Sequence, residues 1–480
     1  MEALELARWQ FGITTVYHYF FVPITIGLSL LVAILQTAWM RTRNPEWLRL
    51  AKFFGKLFTI NFALGLVTGI VQEFQFGMNW SDYSRFVGDI FGAPLAIEAL
   101  LAFFLESTFL GLWIFGWGRI PEKLHAACMW VIHIGTVLSA YFILAANSFM
   151  QHPVGYFNNP ETGRAELIDF WAVLTNPVQL VTFPHVLTAA WMTGGGFMLA
   201  IALWHVWRSR TPKSEQPMYR KAAAIGAIAV LLGGLGTIVT GDIQGKIMTE
   251  VQPMKMAAAE GLYDSVPEGE GAPFSIITVG TLDGTEEVWA VTVPKLLSYL
   301  STGTFDGAVE GINDLNAEYQ LTYSGEELTA MDDYRPIIPV TYWTFRLMMG
   351  FGFAAMVIAA LALLWLWKGK EMNHRFWYWS AIGVMFLPLI ANSWGWIFTE
   401  MGRQPWLVFG LMTTQTGVSP GTTTAEVFTT MALFTLLYGV LAVIEVGLII
   451  KYTREGAPEY DGESLDPDDR AEDQPFVFTY

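Results

Sequence analysis

The chain runs to 480 residues, 53% of them hydrophobic and 15% charged, against about 25% charged for a soluble domain. Its net charge of −16 is uneven: 16 Asp and Glu face 3 Lys and Arg between Ile247 and Ile337, and 9 face 2 between Tyr452 and Tyr480. Acidity held in two polar segments points to no nucleic-acid partner, and the single cysteine, Cys128, excludes an intrachain disulfide and a Cys-ligated metal cluster.

Met1–Trp9 lacks a basic n-region, and the apolar run after it is too long for an h-region, so no removable signal peptide is expected. Long apolar runs then recur to the end of the chain. They predict nine spans, near 11–40, 53–78, 93–118, 124–149, 179–207, 219–246, 338–367, 376–400 and 425–450. Runs of that length can satisfy their backbone in lipid only as helices. The fold class is therefore an all-α, polytopic integral membrane protein whose surroundings are the lipid bilayer. Residues 1–246 hold helices one to six, 247–337 form a long polar loop, 338–450 hold helices seven to nine, and 451–480 form an acidic tail. Within the loop, Val288 to Leu300 reads as a short strand followed by a helix. No repeat of 20 to 50 residues is evident. Alternate connections carry 16 and 7 Lys and Arg. The richer set faces the cytoplasm, which puts the N-terminus and the long loop outside and the tail inside.

Sequence offset gives depth, because a helix rises about 1.5 Å per residue. His18 lies eight residues inside the first span, His185 six inside the fifth, Glu98 five inside the third and Met348 ten inside the seventh. Glu400 closes the eighth. These five side chains, all able to ligate iron, fall in the outer half of the membrane, and imidazole is a common axial ligand for haem iron. Each alone has a structural explanation. His18 reads as a hydrogen-bonded interior residue, His185 as a cap after Pro184, Met348 as core, and Glu98 as a paired carboxylate. Glu106, eight residues beyond Glu98 and roughly 12 Å deeper, reads as a proton relay or as a structural hydrogen-bonding group. Asn392–Trp406 ends the eighth span with Glu400, Arg403 and two tryptophans ahead of Pro405 and a third, Trp406, just after it. It reads either as a headgroup-level anchor or as a cofactor-holding pair. With the other four candidates at related depth, Glu400 reads as an iron ligand, and Trp406 keeps the anchor role.

Together with their neighbours these residues resemble subunit I of the cytochrome bd-type quinol oxidases, through nearly the whole chain. The resemblance is carried by Arg8–Pro23, Gly55–Gly65, Glu73–Trp80, Gly88–Thr108 with Pro-Leu-Ala-Ile-Glu and Phe-Leu-Glu-Ser-Thr, and Phe345-Arg-Leu-Met348. Its most specific stretch is Gly395-Trp-x-x-x-Glu-x-Gly-Arg-Gln-Pro-Trp406. It implies three haems. His185 and Met348 resemble the ligands of low-spin haem b, His18 with Glu98 those of haem d, and Glu400 that of high-spin haem b. Arg8, Arg346 and Arg403 are the cations expected beside haem propionates, where a guanidinium pairs bidentately with carboxylate, and Trp396 is expected against a macrocycle. Lys255 and Glu260 match the family's Lys-x-x-x-x-Glu pair at the start of the quinol-binding loop; outside that match they read as a surface ion pair.

What the resemblance implies is a terminal oxidase of the bacterial cytoplasmic membrane. Quinol is oxidised at the outer face, with Glu260 taking the released proton, and dioxygen is reduced to water. Protons drawn from the cytoplasm past Glu106 then build a gradient without pumping. A second membrane subunit, and small single-span ones, are the expected partners. Two other classes compete: a haem-free proton or ion transporter using Glu98, Glu106 and Glu400, and a purely structural subunit. The chain lacks the paired, interrupted short spans that signal inverted-repeat transporters.

Overall fold

A computed structural model describes residues 2–281 and 284–459. In chain order the elements are α1 (Ala3–Thr42), α2 (Pro45–Asn79), α3 (Ser81–Ile97), a π-helical turn (Glu98–Phe103), α4 (Phe104–Phe115) and α5 (Glu122–Gln151). The hairpin β1 (Tyr156–Asn159) and β2 (Arg164–Leu167) follows, then α6 (Phe170–Leu174), α7 (Pro177–Trp207), α8 (Gln216–Val251) and α9 (Pro253–Glu260). Next come β3 (Phe274–Gly280), β4 (Glu287–Val293), α10 (Leu296–Thr302) and α11 (Ile312–Tyr323). The chain re-enters the bundle with α12 (Ile338–Trp367) and α13 (Arg375–Met401), passes through β5 (Trp406–Val408) and β6 (Met412–Thr413), and ends in α14 (Thr424–Glu455).

Among the described residues nine stretches are long and apolar enough to cross a membrane, one for each predicted span. Their ends follow local chemistry. Pro45 and Pro177 stand in first turns, where the missing N–H costs nothing, and Asn44 and Asn176 cap those turns. Thr423 and Glu426 form a capping box at the start of α14. Four spans begin eight or more residues earlier than hydropathy indicates: the first at Ala3, the second at Pro45, the third at Ser81 and the fifth at Phe170. Polar first turns such as Glu5 and Asp82 hide helix from a hydropathy reading while satisfying the N-terminal dipole.

The helices associate as two groups of four. α1 packs on α2 and α5, and α5 on α4 and the π turn; α7 packs on α8 and α13, and α12 on α8 and α13. α14 lies outside both, against α1 and α2. The two groups meet where α1 crosses α7. A Cβ on Gly27 would stand 2.4 Å from the Ala190 carbonyl oxygen and 2.7 Å from Gly194 Cα, so only hydrogen fits. Such small-residue crossings let helices gain dispersion contact where no hydrophobic drive separates them from lipid.

The long loop is a folded cap on one end of the bundle. The strand and helix expected between Val288 and Leu300 are present as β4 and α10, and β3 pairs antiparallel with β4. Tyr263, Ile312, Leu315, Tyr319 and Tyr334 bury one another together with Trp406. The anchor role expected for Trp406 is thereby corrected. Its side chain is 2% exposed and stacks on Tyr334 at 5.3 Å, inside the cap's core. The folded loop supplies the aromatic neighbours that make burial more favourable than a headgroup position. Of the acidic tail expected over 451–480, residues 460–480 lie outside the described residues.

Candidate active site

The two candidate histidines sit on the paired helices α1 and α7. His18 Nδ1 is 2.9 Å from the Thr68 hydroxyl on α2, and His185 Nδ1 is 3.2 Å from the Thr240 hydroxyl on α8. In each ring one nitrogen is engaged and Nε2 is left as the second. Met348 is on α12, its sulfur against Gly395 of α13; a Cβ there would come within 2.8 Å of it. Trp396 of α13 stacks on Tyr19, the neighbour of His18, with centroids 5.3 Å apart and planes 14° from parallel.

Glu98 opens the π-helical turn and accepts a 2.6 Å hydrogen bond from Ser139 of α5. Glu106 is 8% exposed and lies against Gly135, one helical turn from Ser139 on the same helix. The π turn winds more residues per turn than an α-helix. Eight residues therefore come closer to two whole turns, and both carboxylates face α5. π turns of this kind concentrate at functional positions.

Glu400 and Arg403 form an ion pair of 2.5 Å, one turn apart at the end of α13. Arg403 is 2% exposed and also donates from Nε to the Trp406 carbonyl at 3.3 Å. Asn147 of α5 donates to the other oxygen of Glu400 at 3.0 Å.

Lys255 and Glu260 are both buried, at 5% and 3% exposure, which removes the surface ion-pair reading. They do not pair with each other. Lys255 Nζ donates to the side-chain oxygen of Gln151, the last residue of α5. Glu260 pairs with Arg346 of α12 at 2.6 Å. Arg346 also donates to the Ser275 carbonyl at 2.6 Å, and its guanidinium lies 4.7 Å from the Phe274 ring centroid and 4.6 Å from that of Tyr342. Of the cations expected beside propionates, Arg346 thus meets Glu260 and Arg403 meets Glu400. Arg8, in the second turn of α1, joins no ion pair among the described residues. Burial holds the Lys255 amine well below the usual lysine range; the nearby Arg403 adds to this and Glu400 opposes it. Burial raises the Glu260 carboxyl to about 7, against the pull of Arg346.

Gln151 and Asn147 are site residues that sequence reading misses. Gln151 Nε2 donates to Asn147 Oδ1 at 3.4 Å, so a string of side chains runs from Lys255 through Gln151 and Asn147 to Glu400. Their spacing of four on one helix is the only signal, and it appears once Glu400 and Lys255 are known to face α5.

The donor set fits haem. Two imidazoles present a free ring nitrogen, a methionine sulfur and carboxylates share the same end of the bundle, and the buried indole nitrogens of Trp191, Trp394 and Trp396 have no hydrogen-bond partner among the described residues. Buried, unpaired indole N–H groups are costly unless another group meets them.

A polytopic helical bundle with buried histidine, methionine and carboxylate side chains beneath a folded loop defines a membrane redox protein. Residues 6–457 match the family described as cytochrome bd terminal oxidase subunit I, and the chain belongs to that family. It is 46% identical over 460 residues to the cytochrome bd ubiquinol oxidase subunit 1 of Bacillus subtilis, covering 95% of each chain. It is 35% identical over 505 residues to the cytochrome bd-II ubiquinol oxidase subunit 1 of Escherichia coli, covering 95% of this chain and 97% of that one. Its fold superposes on the bd oxidase from Geobacillus thermodenitrificans with a TM-score of 0.82 at 29% identity, over 95% of this chain and 99% of that one. The protein is a multi-pass membrane subunit of a haem-bearing quinol oxidase, and a second subunit completes the enzyme.

Proposed function

We propose that this subunit carries both ends of a quinol-to-dioxygen reaction: a quinol site under the loop, at Lys255 and Glu260, and an oxygen-reducing site among the bundle's ligand residues. The supporting observation is the string of buried and half-buried side chains from Lys255 to Glu400, which links the candidate quinol residues to a candidate ligand. His185 and Met348 would hold low-spin haem b, His18 with Glu98 would hold haem d, and Glu400 would hold high-spin haem b. Bound there, the haems supply electron transfer and oxygen chemistry. Two quinols release four electrons and four protons, and one dioxygen takes four of each to give two waters.

The residues have distinct work in this scheme. Glu260, poised to about 7, accepts a quinol hydroxyl proton as the ring is oxidised, while Arg346 keeps the resulting carboxylate paired. The Lys255 amine, held on Gln151, hydrogen-bonds the second quinol oxygen. Glu106 and Glu98, facing α5 in series, pass protons inward from the cytoplasmic side. With the loop outside, quinol protons are released outside and consumed protons come from within, so a gradient forms without pumping. The second membrane subunit, joined by small single-span subunits, covers the exposed outer faces of the bundle.

An absorption spectrum of the purified oxidase, with oxygen uptake driven by quinol, tests this directly. Bands of b-type haem and of a chlorin, together with uptake that Lys255→Met weakens, are expected. A protein without haem bands, or uptake indifferent to Lys255 and Glu260, overturns the reading and returns the transporter and structural-subunit alternatives.

A further inference from the structure

The two candidate iron-ligating histidines are received by one side-chain arrangement, present twice. On α2 the receiving residues are Val67-Thr68-Gly69-Ile70-Val71-Gln72, and on α8 they are Val239-Thr240-Gly241-Asp242-Ile243-Gln244. In each copy the threonine hydroxyl meets the histidine Nδ1. In each, the following glycine lies under the ring: a Cβ on Gly69 would stand 3.1 Å from His18 Cε1, and one on Gly241 would stand 3.2 Å from His185 Cε1. In each, the glutamine reaches back to a threonine three residues before the histidine. Gln72 donates to Thr15 at 2.7 Å and Gln244 to Thr182 at 3.2 Å. Nine residues beyond each histidine, Gly27 and Gly194 touch each other. A Cβ on the first would be 2.7 Å from the Cα of the second, and the reverse distance is 2.5 Å. That contact joins the helix pair α1–α2 to the pair α7–α8, so five matched positions recur around the two histidines.

The hydroxyls also bear on which nitrogen carries hydrogen. Thr68 donates its own hydrogen to a carbonyl of its helix, Gly65 at 2.9 Å, and Thr240 does the same to Gly236 at 2.8 Å. Each hydroxyl is then left with lone pairs toward the ring, an arrangement suited to Nδ1 as the donor with the free pair on Nε2. We propose that Thr68 and Thr240 are positioning residues for His18 and His185, holding Nδ1 so that Nε2 of each ring is presented to a haem iron in the same way. The proposal rests on the ligand reading above. A donated Nδ1–H makes an imidazole a stronger ligand base, which favours the ferric form; removing the acceptor raises the haem's midpoint potential.

The test is a redox titration of the intact purified oxidase, followed by its absorption bands. Thr240→Val, which keeps shape and removes the hydroxyl, should raise the midpoint of the haem held by His185 and leave the others in place. Thr68→Val should do the same for the haem at His18. Thr240→Ser and Thr68→Ser should return both midpoints to the parental values. Loss of haem in a valine variant with retention in its serine counterpart has the same meaning. Unchanged midpoints in the valine variants, or equal damage in valine and serine variants, overturn the proposal. His18→Ala and His185→Ala separate it from the ligation beneath it. If these keep their haems the ligand reading falls; if they lose them while valine midpoints stay parental, the threonine role alone falls.

Discussion

Burial decides what Lys255 and Glu260 are able to do. A surface lysine and glutamate would hold full charges in water and make a pair worth little. Here each is buried on a different partner, and the raised carboxyl of Glu260 becomes a base that works near neutral pH. In the proposed scheme the deprotonated form accepts the quinol proton, so activity should rise with pH through about 7 on the loop side. Glu260→Gln should flatten that limb and lower the rate. Arg346→Leu removes the cation that opposes burial, so the limb should move to higher pH; a shift to lower pH would contradict the assignment. Gln151→Met removes the Lys255 acceptor, and loss of a hydrogen bond to a charged or strongly polarised group costs ~1.4 kcal/mol, or about tenfold in quinol KM. The double variant with Lys255→Met should be no worse than Lys255→Met alone, because the two residues act through one contact. Additive losses would show that Gln151 acts elsewhere. At the other end of the site, Met348→Leu should convert the low-spin haem spectrum to a five-coordinate one, and an unchanged spectrum removes Met348 from the ligand set.

Among the elements, α5 does most to assemble the site. Gly135, Ser139, Asn147 and Gln151 meet Glu106, Glu98, Glu400 and Lys255 in turn, along a stripe that winds slowly round the helix. At about 1.5 Å per residue the stripe covers roughly 24 Å. One rigid helix thereby spaces the proposed proton path, the candidate ligand carboxylates and the proposed quinol site. Glu106→Gln keeps the contact with Gly135 but cannot carry a proton, so dioxygen reduction should slow while the low-spin haem spectrum stays intact; normal turnover would remove Glu106 from the path. The α1–α7 crossing is as exacting as α5. Gly194→Ala places a methyl 2.5 Å from Gly27 backbone atoms that cannot yield without moving a helix. Overpacking of that kind costs about 1–3 kcal/mol, and the expected result is a lower yield of haem-loaded protein and a lower unfolding temperature.

Taken as a whole, the molecule is asymmetric along its helices. The loop cap, Lys255, Glu260, Glu400 and the start of α7 share one end, while Arg49, Arg208 and Lys221 cluster at the other, where Arg49 pairs with Glu215 and Lys221 with Glu46. With the cap outside, moving a proton from the cytoplasmic side to the proposed oxygen site adds charge separation, worth about 2.3 kcal/mol per 100 mV for a full crossing. In sealed vesicles with the cap facing out, quinol-driven turnover should acidify the exterior by about one proton per electron, the ratio set by quinol chemistry, and leave the lumen alkaline. Proton release into the lumen would reverse the proposed orientation.

The sequence by itself determined the number of membrane helices and the identity of the candidate ligands, and left the fold of the long loop open beyond a strand and helix near Val288–Leu300. The first two follow from local chemistry and motif: apolar run length, and rare polar side chains where lipid makes them expensive. It did not determine where Trp406 goes, because an indole suits a headgroup region and a protein core equally until Tyr334 is placed beside it. It did not separate Lys255 from Glu260, whose spacing on one short helix suggests a pair that their tertiary partners divide. It did not show the π turn that brings Glu98 and Glu106 onto one face, nor the α5 stripe. The matched surroundings of His18 and His185 escape a search for repeats because only a few positions are alike, scattered over four helices. They become equivalent when Gly27 meets Gly194, a contact between residues far apart in sequence that only close helix packing creates.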